Sequence, residues 1–180
     1  MRKVIILLLV AVLLLSILMT TGRGAKSAAE YNERGDSLGK EQRYEEAIKE
    51  YSKAIEIDPN LATAYLNRGA MYYQEGDLDM AMADYDMAIV LDPDYTIAYY
   101  NRGLGYFKDF ENDKAMADFN KVIELDPDFT AVYCSRGYAY FEGGEIEKAR
   151  SDFEKCIKIS QEPRLTEFAE GILEEINSPE

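Results

Sequence analysis

The sequence predicts an all-α fold: a solenoid of four antiparallel helix pairs closed by one C-terminal helix. Three observations carry this. Gly35, Gly69, Gly103 and Gly137 recur every 34 residues, and Ala47, Ala81, Ala115 and Ala149 keep the same step. Within each period two segments show helical spacing of apolar residues. After the last period Leu165, Phe168, Ala169, Ile172, Leu173 and Ile176 form one apolar stripe opposite Glu167, Glu170, Glu174 and Glu175. A fixed period of this length is the signature of a repeat architecture, in which each unit packs only on its neighbours, so 180 residues make an elongated stack.

The chain divides accordingly. Residues 1–22 stand apart: Arg2 and Lys3 precede an uncharged run from Val4 to Met19, extended by Thr20, Thr21 and Gly22. The positive start and apolar middle fit a secretory signal peptide, and the run also approaches the roughly 20 residues of a membrane-spanning helix. The cleavage-site residues, Gly22 with Gly24 or Ala25 with Ser27, match the small-residue preference only weakly, so signal and anchor both stay open. Either way the repeats are expected outside the cytoplasm: anchored and facing the periplasm or cell exterior, or soluble after cleavage. Residues 23–27 read as a linker, within a spacer of small residues running to Ala29. Four units follow at 28–61, 62–95, 96–129 and 130–161, then a capping helix at 162–176 and a tail at 177–180.

In the third unit, Ile97, Tyr100 and Leu104 lie on one face of the first helix and Tyr99, Gly103 and Tyr106 on another, so that helix must be sandwiched. The second helix carries Ala115, Phe119, Val122 and Ile123 as a single stripe. Asn112 is expected at its N-cap, and Asp126 before Pro127 closes it. Gly103 and Ala115 let the backbones approach, and Tyr99 and Phe119 fill the wider end. Arg34, Arg68, Arg102 and Arg136 share the repeat period with Glu50, Asp84, Asp118 and Asp152, which predicts ion pairs within each unit, such as Arg102 with Asp118. The sharper alternative is a ligand-reading arginine ladder.

These residues resemble the tetratricopeptide repeat family. Tyr65, Gly69, Tyr72, Ala81, Tyr85, Ala88 and Pro93 meet all seven signature positions in the second unit, and Tyr99, Gly103, Tyr106, Ala115, Phe119 and Pro127 meet six in the third. The first unit has Leu38 at an aromatic position, and the fourth departs at Cys156 and Gln161, as terminal repeats do. The resemblance implies a right-handed superhelix whose first helices line a concave groove. Carried over position by position, the groove residues are Leu66, Asn67, Tyr73, Ile97, Tyr100, Asn101, Leu104, Phe107, Tyr138 and Phe141, with Cys134 at a groove position too. An exposed apolar line of this kind marks an interaction surface, and its aromatic rings are natural anchors for an apolar peptide. Chaperone adaptors of the family grip a C-terminal carboxylate with cations and asparagines. The matching positions here are Asn32, Asp36, Asn67, Ile97 and Asn101, or one unit later Leu66, Ala70, Asn101, Ala131 and Ser135, and neither frame supplies the cations.

Composition narrows the function classes. The net charge is −14, with Asp and Glu on outward helix faces, which argues against nucleic acid and against acidic partners. There is no histidine, no phosphate-cradling glycine loop and no nucleophile with a recognisable base. Asp92 and Asp94 read as turn residues around Pro93 rather than as calcium ligands. Cys134 and Cys156 are too few for a paired-cysteine zinc site, and their positions read as too far apart for a disulfide. No cofactor or metal is expected. The expected function is a non-enzymatic scaffold or adaptor that holds a peptide or protein segment in its groove outside the cytoplasm, in assembly of an envelope or secretion complex. The alternative is a structural protein that self-associates through its repeats.

Overall fold

The computed structural model describes residues 26–178, all of whose regular structure is helical. The proposed signal or anchor, residues 1–22, lies outside the described residues, and so does the end of the tail. No helix among the described residues is long and apolar enough to cross a membrane. Among the described residues nine helices follow in order: α1 Ala28–Lys40, α2 Tyr44–Ile57, α3 Ala62–Glu75, α4 Leu78–Leu91, α5 Thr96–Lys108, α6 Asn112–Leu125, α7 Thr130–Glu142, α8 Ile146–Ile159 and α9 Pro163–Asn177. α1 to α8 pair consecutively into four antiparallel hairpins, each packed on the next, and α9 packs on α8.

The boundaries follow from local chemistry. The Ser27 hydroxyl accepts from the Glu30 amide while the Glu30 carboxylate accepts from the Ser27 amide, a capping box that starts α1 inside the stretch read as spacer. Asn112 is the first residue of α6 rather than its cap, which is Glu111. Between units, Asp58, Asp92 and Asp126 take extended backbone angles before proline, and each carboxylate accepts from the amide two residues on. Asp92 and Asp94 are thus turn residues, as expected. Within each hairpin, the turn uses one left-handed residue at the same place: Gln42, Gly76, Phe110 and Gly144.

Close backbone approach sets the spacing within each pair. A Cβ on Gly35 would lie 2.5 Å from the Tyr51 ring, on Gly69 2.8 Å from Tyr85, on Gly103 2.7 Å from Phe119, and on Gly137 3.2 Å from Phe153. Each of the four rings is fully buried. The arginines add a ladder across the stack. Arg68, Arg102 and Arg136 each grip Asp84, Asp118 and Asp152 with two hydrogen bonds of 2.7–2.8 Å. Their remaining Nη1 reaches back to the preceding unit: Ser52 Oγ at 3.0 Å, Asp86 Oδ1 at 2.7 Å and Asn120 Oδ1 at 2.5 Å. Arg34 has no preceding unit, stays exposed and meets Glu50 at only 3.4 Å. The bond to Asp118, followed by that to Asp86, raises the Arg102 pKa. The arginines are therefore part of the packing between units, and the ligand-reading ladder is not the arrangement found.

Gly69→Ala is expected to lower stability by about 1–3 kcal/mol, because both the Tyr85 ring and the Ala81 carbonyl must move. Asp118→Ala, which leaves the Arg102 guanidinium with Asp86 alone, is expected to cost about 2 kcal/mol. Urea unfolding followed by circular dichroism measures both.

Candidate functional site

The first helix of each hairpin presents its concave face through residues whose neighbours differ from unit to unit. Tyr73 on α3, Leu104, Phe107 and Lys108 on α5, Phe110 and Asn112 at the α5–α6 turn, and Tyr138 and Glu142 on α7 surround an open cleft of about 540 Å³. Its floor is aromatic. Phe107 meets Tyr138 edge-on at 5.9 Å, Tyr138 lies 6.4 Å from Phe141, and the Lys108 ammonium sits 4.5 Å over the Tyr73 ring.

The apolar surface continues onto the capping helix. Leu104, Phe107 and Tyr138 also border a recess of about 180 Å³ with Cys134, Ser135, Leu165 and Phe168. Phe168 remains 42% exposed, with its ring 5.8 Å from Tyr138 and 6.0 Å from Phe153. The cap therefore extends the groove as well as closing the stack.

Several expected groove residues lie elsewhere. Leu66 is 5% exposed and belongs to the core between units two and three, because the fifth position faces the neighbouring unit rather than the open side. Tyr100, at the same position, is mostly buried against Phe129 and Phe119, and its hydroxyl is hydrogen-bonded to Ser135 at 3.1 Å. Asn67 donates to Asp36 Oδ1 at 2.9 Å, and the same oxygen accepts from the Tyr51 hydroxyl at 2.8 Å. Ile97 is exposed near the start of α5, away from the clefts. Asn101 lines a smaller pocket of about 100 Å³ with Ala70, Tyr73, Gln74, Tyr85 and Leu104.

The expectation against a disulfide is overturned. Cys134 and Cys156 are bonded, with Cα atoms 5.6 Å apart. Cys134 is 2% exposed because its position, like that of Leu66, faces the packing: its sulfur is bonded to α8, and it only borders the recess under the cap. Sequence reasoning also missed Phe110. It is 89% exposed, and its backbone is left-handed with φ 59°, where units two and four use glycine. An aromatic side chain holding a turn position that glycine holds in two sister units was the available signal. Among the described residues no group of three or more acidic, histidine or cysteine side chains is placed to hold a metal ion.

The family comparison bears on the same hairpins. Signatures described as TPR repeat match residues 35–76 and 69–109, and those described as tetratricopeptide repeat match 96–129 and 130–163. The chain belongs to the tetratricopeptide repeat family. No curated protein matches it. Among solved structures, it is similar to the first TPR of Spaghetti bound to an HSP90 peptide, SRMEEVD, with 31% identity over 58% of this chain and 82% of that one, TM-score 0.56. It is also similar to the MamA protein, at 26% identity over 83% and 85%, TM-score 0.69. MamA 41-end from Desulfovibrio magneticus RS-1 shares the fold at 21% identity over 74% and 75%, TM-score 0.68.

Reducing the disulfide, or replacing Cys156 by Ala, is expected to lower stability by about 3 kcal/mol, since it closes a loop across 22 positions. Thermal unfolding with and without reductant checks this. Phe110→Gly is expected to stabilise the fold by about 1 kcal/mol by relieving the left-handed backbone, measured in the same way.

Proposed function

We propose that this chain is a non-enzymatic interaction module that holds an apolar peptide or protein segment in its concave groove, displayed outside the cytoplasm during assembly of an envelope or secretion complex. The carrying observation is the continuous aromatic surface formed by Tyr73, Phe107, Phe110, Tyr138 and Phe168, two of whose rings remain strongly exposed. Exposed rings in a shaped cleft are the usual anchors of a protein interface. Phe110 strengthens the reading, because its left-handed backbone costs stability while its ring borders the cleft.

The Spaghetti domain's peptide is acidic, and this chain's groove differs from what such a ligand needs. Where chaperone adaptors of the family place a clamp residue, Asp36 stands here, held by Tyr51 and Asn67. The segment bound here is therefore apolar rather than an acidic tail. The export reading rests on the apolar run Val4–Met19 behind Arg2 and Lys3. The Cys134–Cys156 disulfide supports it, since such bonds persist in oxidising compartments. The N-terminal segment then serves as a retained anchor or as a removed signal.

The test is a crosslinking pull-down from native membranes with the intact chain and with a Tyr73→Ala, Phe107→Ala, Phe110→Gly variant, which leaves the buried core intact. One specific co-purifying protein, reduced at least about 10-fold in the variant, is the expected result. An unchanged catch sinks groove binding, and recovery of the chain itself as sole partner favours self-association.

A further inference from the structure

The first two units differ at one position in a way that exposes a recognition pocket. In unit one, the Tyr51 ring passes beneath Gly35 and its hydroxyl donates to Asp36 Oδ1, where the Asn67 amide of the next unit also donates. One repeat later Tyr85 passes beneath Gly69 in the same way, and Asn101 replaces Asn67. The residue in place of Asp36 is Ala70. The carboxyl group that satisfied both donors is gone, and a pocket of about 100 Å³ stands there, lined by Ala70, Tyr85, Asn101, Tyr73, Gln74 and Leu104.

Tyr85 is 1% exposed, and neither its hydroxyl nor the Asn101 amide has a protein hydrogen-bond partner among the described residues. Neither atom is sealed off from solvent as an orphan inside the core. Burial raises the Tyr85 pKa, so the phenol keeps its proton and remains a donor. Units three and four lack the arrangement, because Phe119 and Phe153 carry no hydroxyl.

We propose that this pocket receives the side-chain carboxamide of an Asn or Gln in the bound apolar segment, its carbonyl oxygen accepting from Tyr85 and Asn101 as Asp36 Oδ1 does one unit earlier. This deepens the groove-binding reading and rests on it. A volume of about 100 Å³ is that of a side-chain tip rather than of a chain segment. An uncharged acceptor is favoured over a carboxylate because no lysine or arginine lines the pocket, and the chain already carries a charge of −14. A buried hydroxyl and a half-buried amide that both lack a protein acceptor favour a ligand that supplies one, which makes the pocket a determinant of specificity.

The experiment selects phage-displayed random 12-residue peptides on the full chain in detergent, alongside Ala70→Asp, which restores the unit-one carboxyl and fills the pocket. The expected wild-type peptides combine apolar anchors with Asn or Gln at a fixed spacing. Exchanging that residue for Leu weakens binding about 10-fold, and Ala70→Asp binds the same peptides about 10-fold more weakly while melting no lower than wild type. Asn101→Leu provides a second variant, with the same loss of carboxamide preference expected. Apolar peptides without that preference, or with Asp or Glu in its place, bound equally by Ala70→Asp and Asn101→Leu, overturn the pocket and leave groove binding standing. Failure to select any peptide sensitive to Phe107→Ala overturns the groove reading itself.

Discussion

The contact on which this structure depends is the one between a glycine and a ring within each hairpin. The glycine allows Tyr51, Tyr85 and Phe119 to lie against the backbone of the facing helix at a distance no Cβ tolerates, and Phe153 at one that a Cβ would make tight. That approach sets the separation of the two helices and, with it, the height at which Arg68, Arg102 and Arg136 meet their aspartates. It also decides what emerges on the far side. A tyrosine at this position carries its hydroxyl through the helix pair to the concave face, whereas a phenylalanine ends in the core.

The units are bound to one another by a second device. Each of these arginines reaches both its own unit and the one before it, and its guanidinium lies over two tyrosines of its own helix, such as Tyr99 and Tyr106 for Arg102. Each charge is held by its own carboxylate and by a hydroxyl, a carboxylate or an amide of the preceding unit, between two rings, and so ties successive hairpins together. Polar contacts thus join successive hairpins alongside the apolar packing of the seams. At the C-terminal end the Cys134–Cys156 bond staples α7 to α8, and Leu165 packs over it with its carbonyl 3.6 Å from Cys134 Sγ. The capping helix is placed where Phe168 can complete the aromatic surface.

Function follows from breaks in the repetition. Where the four units agree, the residues build the stack. Where they disagree, at Asp36 against Ala70, at Gly76 against Phe110, and at Asn101 against Ser135, the concave surface acquires features that differ from one unit to the next. Those differences give the groove a direction, polar at the first unit and aromatic from the third unit onward.

The sequence alone determined the repeat, the helix pairs, the arginine–carboxylate pairing, the prolines and aspartates that separate units, and the amphipathic cap. All of these depend on spacing along one helix or between the two helices of a unit, and a strict period makes such spacing legible. It did not determine which side of a helix faces a neighbouring unit. Leu66 and Cys134 share one position and are both buried, which turned an expected groove residue into core and brought Cys134 within 5.6 Å of Cys156. Nor did it reveal that Asn67 is already hydrogen-bonded while Asn101 is open, since that depends on whether a carboxylate from the preceding unit reaches the amide. These outcomes were decided by tertiary structure, because the rotation between hairpins, which no period along the chain encodes, chooses the partners of every residue at the seam.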